Sequence, residues 1–252
     1  MAPVSRRPSF ARRFGAVFGL GLLGVAALAT HLAPRLPAMP LPESLAGLPS
    51  AAILALSLLN PLILLLLASL AGAAVAHRTG LHSAAAGTTR WPAARQWTAA
   101  LASGVALGLL IAAVDAAWAR AVQVPWIPAG GPQAAGAGPL LLGVFYGGLA
   151  EEVLMRWGLM ALAAWALQRW LGRGPALAVA AVFAALAFAA GHLPALLAAQ
   201  QELTGALVAR TLALNATAGL LYGWWFGRHS LEAAMAAHAA THLGFWLAAS
   251  AL

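Results

Sequence analysis

Glu151 and Glu152 stand side by side in an otherwise apolar stretch, with Arg156 close behind, in a chain that has only 6 acidic residues. A charged group held near the centre of a bilayer costs about 2.5–3.5 kcal/mol on insertion scales, so three in one apolar stretch require a role. On an α-helix Glu152 and Arg156 are four residues apart, on one face and able to pair. Glu151 is rotated about 100° from Glu152, so one arginine does not easily serve both. One carboxylate is thereby neutralised, and the other is free to act as a general base or proton carrier. A purely structural pair would be met at lower cost by Asn, Gln or Ser.

Histidine is the second ingredient. His192 lies near the end of one apolar run, and His238 and His242, four residues apart, share a face of another. A carboxylate base, an imidazole beside it and further imidazoles to polarise a carbonyl are the parts needed to hydrolyse a peptide bond with water. Glu151, His192, His238 and His242 are also side chains that ligate a divalent metal such as zinc. The His238-x-x-x-His242 spacing suits a metal, but the Glu of an H-E-x-x-H helix is absent. The chain has no cysteine, which removes thiol nucleophiles, zinc-thiolate sites and disulfides.

Apolar helices must position these groups. Of 252 residues, 62% are apolar and 8% charged, with a mean hydropathy of +0.84. A soluble domain carries about a quarter charged residues. The apolar residues come in runs long enough to cross a bilayer, which predicts an all-α, polytopic transmembrane bundle of about seven helices. The expected spans are Phe14–His31, Ala51–Ala76, Trp97–Ala119, Leu140–Ala164, Ala176–Ala199, Gly205–Phe226 and Leu231–Ala249. Proline-rich (Pro34, Pro37, Pro40, Pro42) and Gly/Pro-rich (Trp126–Pro139) stretches read as loops.

The net charge of +8 is carried by arginine alone. A pI near 11.7 raises the question of nucleic acid, but the arginines sit between apolar runs, where they set topology instead. With a cytoplasmic N-terminus, Arg6, Arg7, Arg12, Arg13, Arg78, Arg90, Arg95, Arg169, Arg173 and Arg228 lie inside, and only Arg35 and Arg120 outside. The first helix is expected to be retained for that reason, although Ala27-Leu28-Ala29 also resembles a cleavage site. Glycines four residues apart (Gly15/Gly19, Gly143/Gly147, Gly219/Gly223/Gly227) read as packing ridges. The absence of internal repeats argues against a proton-coupled transporter using Glu151 and Arg156 as a relay.

Other polar residues take plainer readings. Asp115 and Arg210 are expected to snorkel at outer helix ends, and Glu232 to complement a helix N-terminus behind Ser230. Asn60-Pro61 is expected to kink its helix, Asn215 to bridge helices, and Trp97, Trp126 and Trp170 to form an interfacial belt.

Glu151-Glu152-Val-Leu-Met-Arg156, Phe188-Ala-Ala-Gly-His192 and His238-Ala-Ala-Thr-His242 together resemble the E-E-x-x-x-R, F-x-x-x-H and H-x-x-x-N series of the CAAX prenyl protease and bacteriocin-processing family. Order, spacing and placement within helices agree. The resemblance runs from about Leu140 onward, dividing the chain into helices without a motif (1–139) and a catalytic core (140–252). It implies an intramembrane endopeptidase of the bacterial inner membrane, acting on a membrane-anchored or lipid-modified tail or a peptide precursor. By the resemblance Glu151 activates water with His192, Glu152 pairs with Arg156, and the last motif stabilises the oxyanion or completes a metal site. A non-catalytic immunity or scaffold relative is the alternative. The last motif usually ends in Asn; His242 stands there instead, an equally good hydrogen-bond donor and a better metal ligand.

Overall fold

The computed structural model describes residues 8–39, 42, 45, 47–122, 132–199 and 204–251. Arg6, Arg7, Pro40 and Trp126 lie outside these. Among the described residues the chain is helical, with α1 (Phe10–Leu32), α2 (Ser50–Thr79), α3 (Ala94–Val122), α4 (Ala137–Leu171), α5 (Arg173–Ala190), a short α6 (Leu193–Ala199), α7 (Gly205–Arg228) and α8 (Leu231–Ser250). The seven long helices correspond to the seven expected spans. Among the described residues five stretches, α1 to α4 and Arg173–Leu197, are long and apolar enough to cross a membrane. α8 is buried along most of its length.

Local signals set the helix ends. Ser9, Thr204 and Ser230 accept hydrogen bonds from Arg12 N, Leu207 N and Ala233 N, satisfying otherwise orphaned amides. Gly80 ends α2 at φ 76°, a conformation that costs glycine nothing. α2 turns Leu56, Leu59, Leu64 and Leu67 outward, and α5 does the same with Val182, Phe183 and Leu186. Such exposed apolar rows are the surface lipid covers.

Two helices depart from the expected regular α form. α5 stops at Ala190 because Pro194, four residues on, has no N–H to donate to the Ala190 carbonyl and its ring clashes with it. The expected span Ala176–Ala199 is present as the apolar stretch Arg173–Leu197, interrupted by a two-residue turn in which His192 sits. The middle of α4 is π-helical over Gly143–Glu151 and Val153–Met160. Its i→i+5 repeat is wider than an α turn, a form concentrated at functional sites.

Close helix approach uses a different set of glycines from the one expected on α1. Gly15 and Gly19 face open space, whereas a Cβ on Gly24 would lie 2.7 Å from the Phe145 carbonyl oxygen. On α3, Gly104 and Gly108, also four apart, press against α8, where a Cβ would lie 2.1 Å from Ala237 O and 2.2 Å from Thr241 O. Gly219 and Gly223 do form the expected ridge, against Ala185 and Ala181 of α5.

Four polar residues are placed differently from their plain readings. Asp115 and Arg210 do not snorkel separately: Arg210 Nε donates to Asp115 Oδ1 at 2.6 Å and Nη2 donates to Oδ2, tying α3 to α7 around a fully buried carboxylate. Asn215 bonds back to Thr211 O of its own helix instead of bridging to another. Glu232 does more than complement the α8 N-terminus. Its buried carboxylate accepts from Ser83 Oγ (2.6 Å), Ala84 N (3.0 Å) and Ala85 N (3.1 Å), and Leu231 N donates to His82 O. The α2–α3 connection is thereby strapped to α8. Burial and neighbouring Arg173 hold the His82 imidazole below its ordinary pKa, so the strap is uncharged there at neutral pH. Glu232→Ala strands three donors in a buried site and is expected to lower stability by about 1–3 kcal/mol. Thermal unfolding in detergent checks this; an unchanged midpoint would show that the strap carries no load.

Candidate active site

The three motifs converge from α4, the α5–α6 turn and α8. Glu152 is fully buried, and its Oε1 is shared by Arg156 Nη1 at 3.3 Å and His238 Nδ1 at 2.8 Å. The expected i,i+4 pair is present, but it is half of a larger unit. Arg156, also fully buried, donates through Nη2 to the Gly219 carbonyl at 2.9 Å and lies over the rings of Phe188 and Tyr222. One guanidinium thus joins α4, α5 and α7 by an ion pair, a hydrogen bond and two cation–π contacts.

Because an ionised carboxylate can only accept, the Glu152 contact assigns the His238 proton to Nδ1 and leaves Nε2 with a lone pair. The same reasoning applies to His192, whose Nδ1 faces the Phe188 carbonyl at 2.8 Å. Tyr222 stacks on the His238 ring at 4.3 Å and 14°, and His242 follows at 5.3 Å and 18°. Each ring is fixed by a neighbour before any substrate arrives.

Glu151 points the other way. Its side chain is 23% exposed and its Oε2 lies 3.9 Å from His238 Nε2, wider than a hydrogen bond, so a water oxygen beside the pair is within reach of both atoms. Glu151 lines a cavity of about 590 Å³ together with His192, His238, His242, Tyr146 and Tyr222. It is the one carboxylate among the lining residues described. Four of the six expected site residues, Glu151, His192, His238 and His242, line this space, and Glu152 and Arg156 lie buried behind it.

Residues 133–244 match the family described as Rce1-like, type II CAAX prenyl endopeptidase. No curated protein and no solved structure matches the chain. The family is one of proteases, and its apolar helices make this chain an integral membrane protein. The Rce1-like stretch contains Glu151, Glu152, Arg156, His192, His238 and His242, and starts a few residues before the expected boundary at Leu140.

Two features of the Rce1-like stretch were not anticipated. The only 2 tyrosines in the chain, Tyr146 and Tyr222, both line the cavity. Their rarity in two apolar helices was the available signal. Gly143 and Gly147 do more than pack helices. A Cβ on Gly143 would lie 2.3 Å from His242 Nδ1, and one on Gly147 would lie 2.8 Å from His242 Nε2 and 3.1 Å from His238 Nε2. These glycines are the floor on which both imidazoles rest. Gly147→Val is expected to displace the rings and cost at least ~100-fold in activity, since small misplacements of catalytic groups carry penalties of that order. Wild-type turnover in that variant would separate the histidines from catalysis.

The donor chemistry of Glu151, His192, His238 and His242 suits zinc, but their placement does not gather them. Among the described residues no group of three or more His, Asp or Glu side chains is positioned to hold a metal ion.

Proposed function

We propose that the chain is an intramembrane endopeptidase in which Glu151 activates the water that hydrolyses a peptide bond of a membrane-anchored or lipid-modified protein tail or peptide precursor. The supporting observation is the position of Glu151 as the carboxylate facing a cavity at bilayer depth, with His238 Nε2 beside it. Residues 140–252 supply the reacting groups, while α1 to α3 brace α4 and α8.

The water sits beside Glu151 and the free Nε2 atoms of His238 and His192; one of its hydrogens points to the Glu151 carboxylate and the other to an imidazole Nε2, which aims its lone pair. Glu151 takes one proton as the oxygen attacks the carbonyl carbon, and the carbonyl π electrons move to oxygen. His242 and the Tyr146 hydroxyl stabilise that oxyanion. Its collapse breaks the C–N bond, and Glu151, now a carboxylic acid, returns the proton to the departing amine. Glu152 exchanges no proton with water or substrate in these steps; it positions His238 and is paired with Arg156.

The test is cleavage by the purified protein in proteoliposomes, with new termini of added membrane proteins read by mass spectrometry. New termini are expected, and dialysis against EDTA is expected to leave the rate unchanged. A rate lost on chelation and restored by zinc would overturn the metal-free mechanism.

A further inference from the structure

The two ends of the helical bundle differ in charge, and the cavity reaches only one of them. Arg12 and Arg13 at the start of α1, Arg78 at the end of α2, Arg90 and Arg95 before and in the first turn of α3, Arg169 at the end of α4, Arg173 opening α5 and Arg228 closing α7 gather at one end. Contacts bind this end together: Arg13 Nε donates to Ala73 O, Arg173 Nε donates to Thr79 O, and Gln96 meets His229. At the other end, among the described residues, Arg35 and Arg120 remain, with Arg210 tied to Asp115.

The lining of the cavity runs from Glu151 and His238 to His31 at the end of α1, Ala134 and Pro139 around the start of α4, and Arg210 near the start of α7. None of the arginines at the rich end contributes to it. The water-accessible path to Glu151 therefore leads to the arginine-poor end.

Arginine-rich ends of membrane helices stay on the cytoplasmic side. We propose that the active-site cavity opens on the extracytoplasmic side, and that the substrate is a membrane-anchored polypeptide whose scissile bond is exposed on that outer face, not a tail in the cytoplasm. The inference rests on the protease reading for the identity of the substrate, but the direction of opening stands on the arginines and the cavity.

The chain has no cysteine, so single cysteines report cleanly. Ala137, exposed at the start of α4, and Ala94, exposed at the start of α3, mark the two ends. In intact cells a membrane-impermeant maleimide is expected to label Ala137→Cys at once and Ala94→Cys only after permeabilisation; the reverse pattern overturns the proposal. A second arm uses a library of unstructured peptide tails fused to one transmembrane anchor in either orientation, with the same library presented to the enzyme in detergent. Cleavage in detergent and, in cells, of outward-facing tails alone supports the proposal, and cleavage of inward-facing tails alone overturns it. No cleavage even in detergent defeats the protease reading and the substrate with it, while the maleimide pattern still decides which face opens.

Discussion

Glu151→Gln is expected to abolish peptide hydrolysis while leaving the fold intact. The amide matches the carboxylate in size and still hydrogen-bonds, but it cannot take a proton from water or return one to the leaving amine. A positioned acid–base group contributes about 10²–10⁴-fold, and here one side chain performs both transfers, so the loss belongs at or above the upper end of that range. Glu151 is partly exposed to the cavity and sits beside the Arg156 network without belonging to it. Its replacement should move stability by less than about 0.5 kcal/mol, as for substitutions that empty no core and strand no charge. Turnover of a cleaved peptide and the unfolding midpoint in detergent are measured on the same preparation. Retained turnover removes Glu151 from the chemistry; lost turnover with a collapsed midpoint would recast it as structural.

The second large effect concerns stability. Arg156→Met leaves the Glu152 carboxylate buried without its cation and is expected to cost about 3–5 kcal/mol, the usual consequence of breaking a buried pair from one side. Replacing both partners, as Glu152→Leu with Arg156→Met, removes the uncompensated charge and should recover most of that loss. Activity should not return with it. His238 would lose the acceptor that holds its proton on Nδ1 and its lone pair on Nε2, so the water would lose one of its two principal partners. A double variant that is stable and active would mean that Glu152 neither orients His238 nor matters to the reaction. A double variant no more stable than Arg156→Met would place the energetic weight on the Gly219 and aromatic contacts of Arg156 instead.

These two predictions also mark where sequence reasoning was strong and where it ended. Glu151, Glu152 and Arg156 stand out because charge in lipid is expensive, and the Glu152–Arg156 ion pair follows from helical spacing alone. The third partner, His238, lies 86 residues away. A helical period says which residues share a face, not which helix that face meets. Asp115 with Arg210, and Glu232 with the Ser83 hydroxyl and the Ala84 and Ala85 amides, were not legible for the same reason: each half has an ordinary explanation near a helix end, and only juxtaposition turns it into a buried pair. In a soluble protein an apolar stripe separates core from surface, but here lipid-facing and bundle-facing sides are equally apolar. Nothing in the spacing of Gly15/Gly19 distinguished it from Gly104/Gly108, although only the second pair touches another helix.

What the sequence by itself determined was the environment, the helical class and the small set of polar groups with a reason to lie in it. Scarcity made those groups legible: with 8% charged residues, most arginines assigned to helix ends leave Glu151, Glu152 and Arg156 as the remainder. Tertiary structure alone decided how that set divides between buried network and cavity wall. It turned Glu152 inward to Arg156 and His238 and left Glu151 facing the cavity. It also opened that cavity toward the arginine-poor end. The physical reason is that local geometry acts over one or two helical turns, whereas the choice between a buried, balanced carboxylate and an exposed, reactive one depends on dielectric and partners brought from helices far apart in the chain.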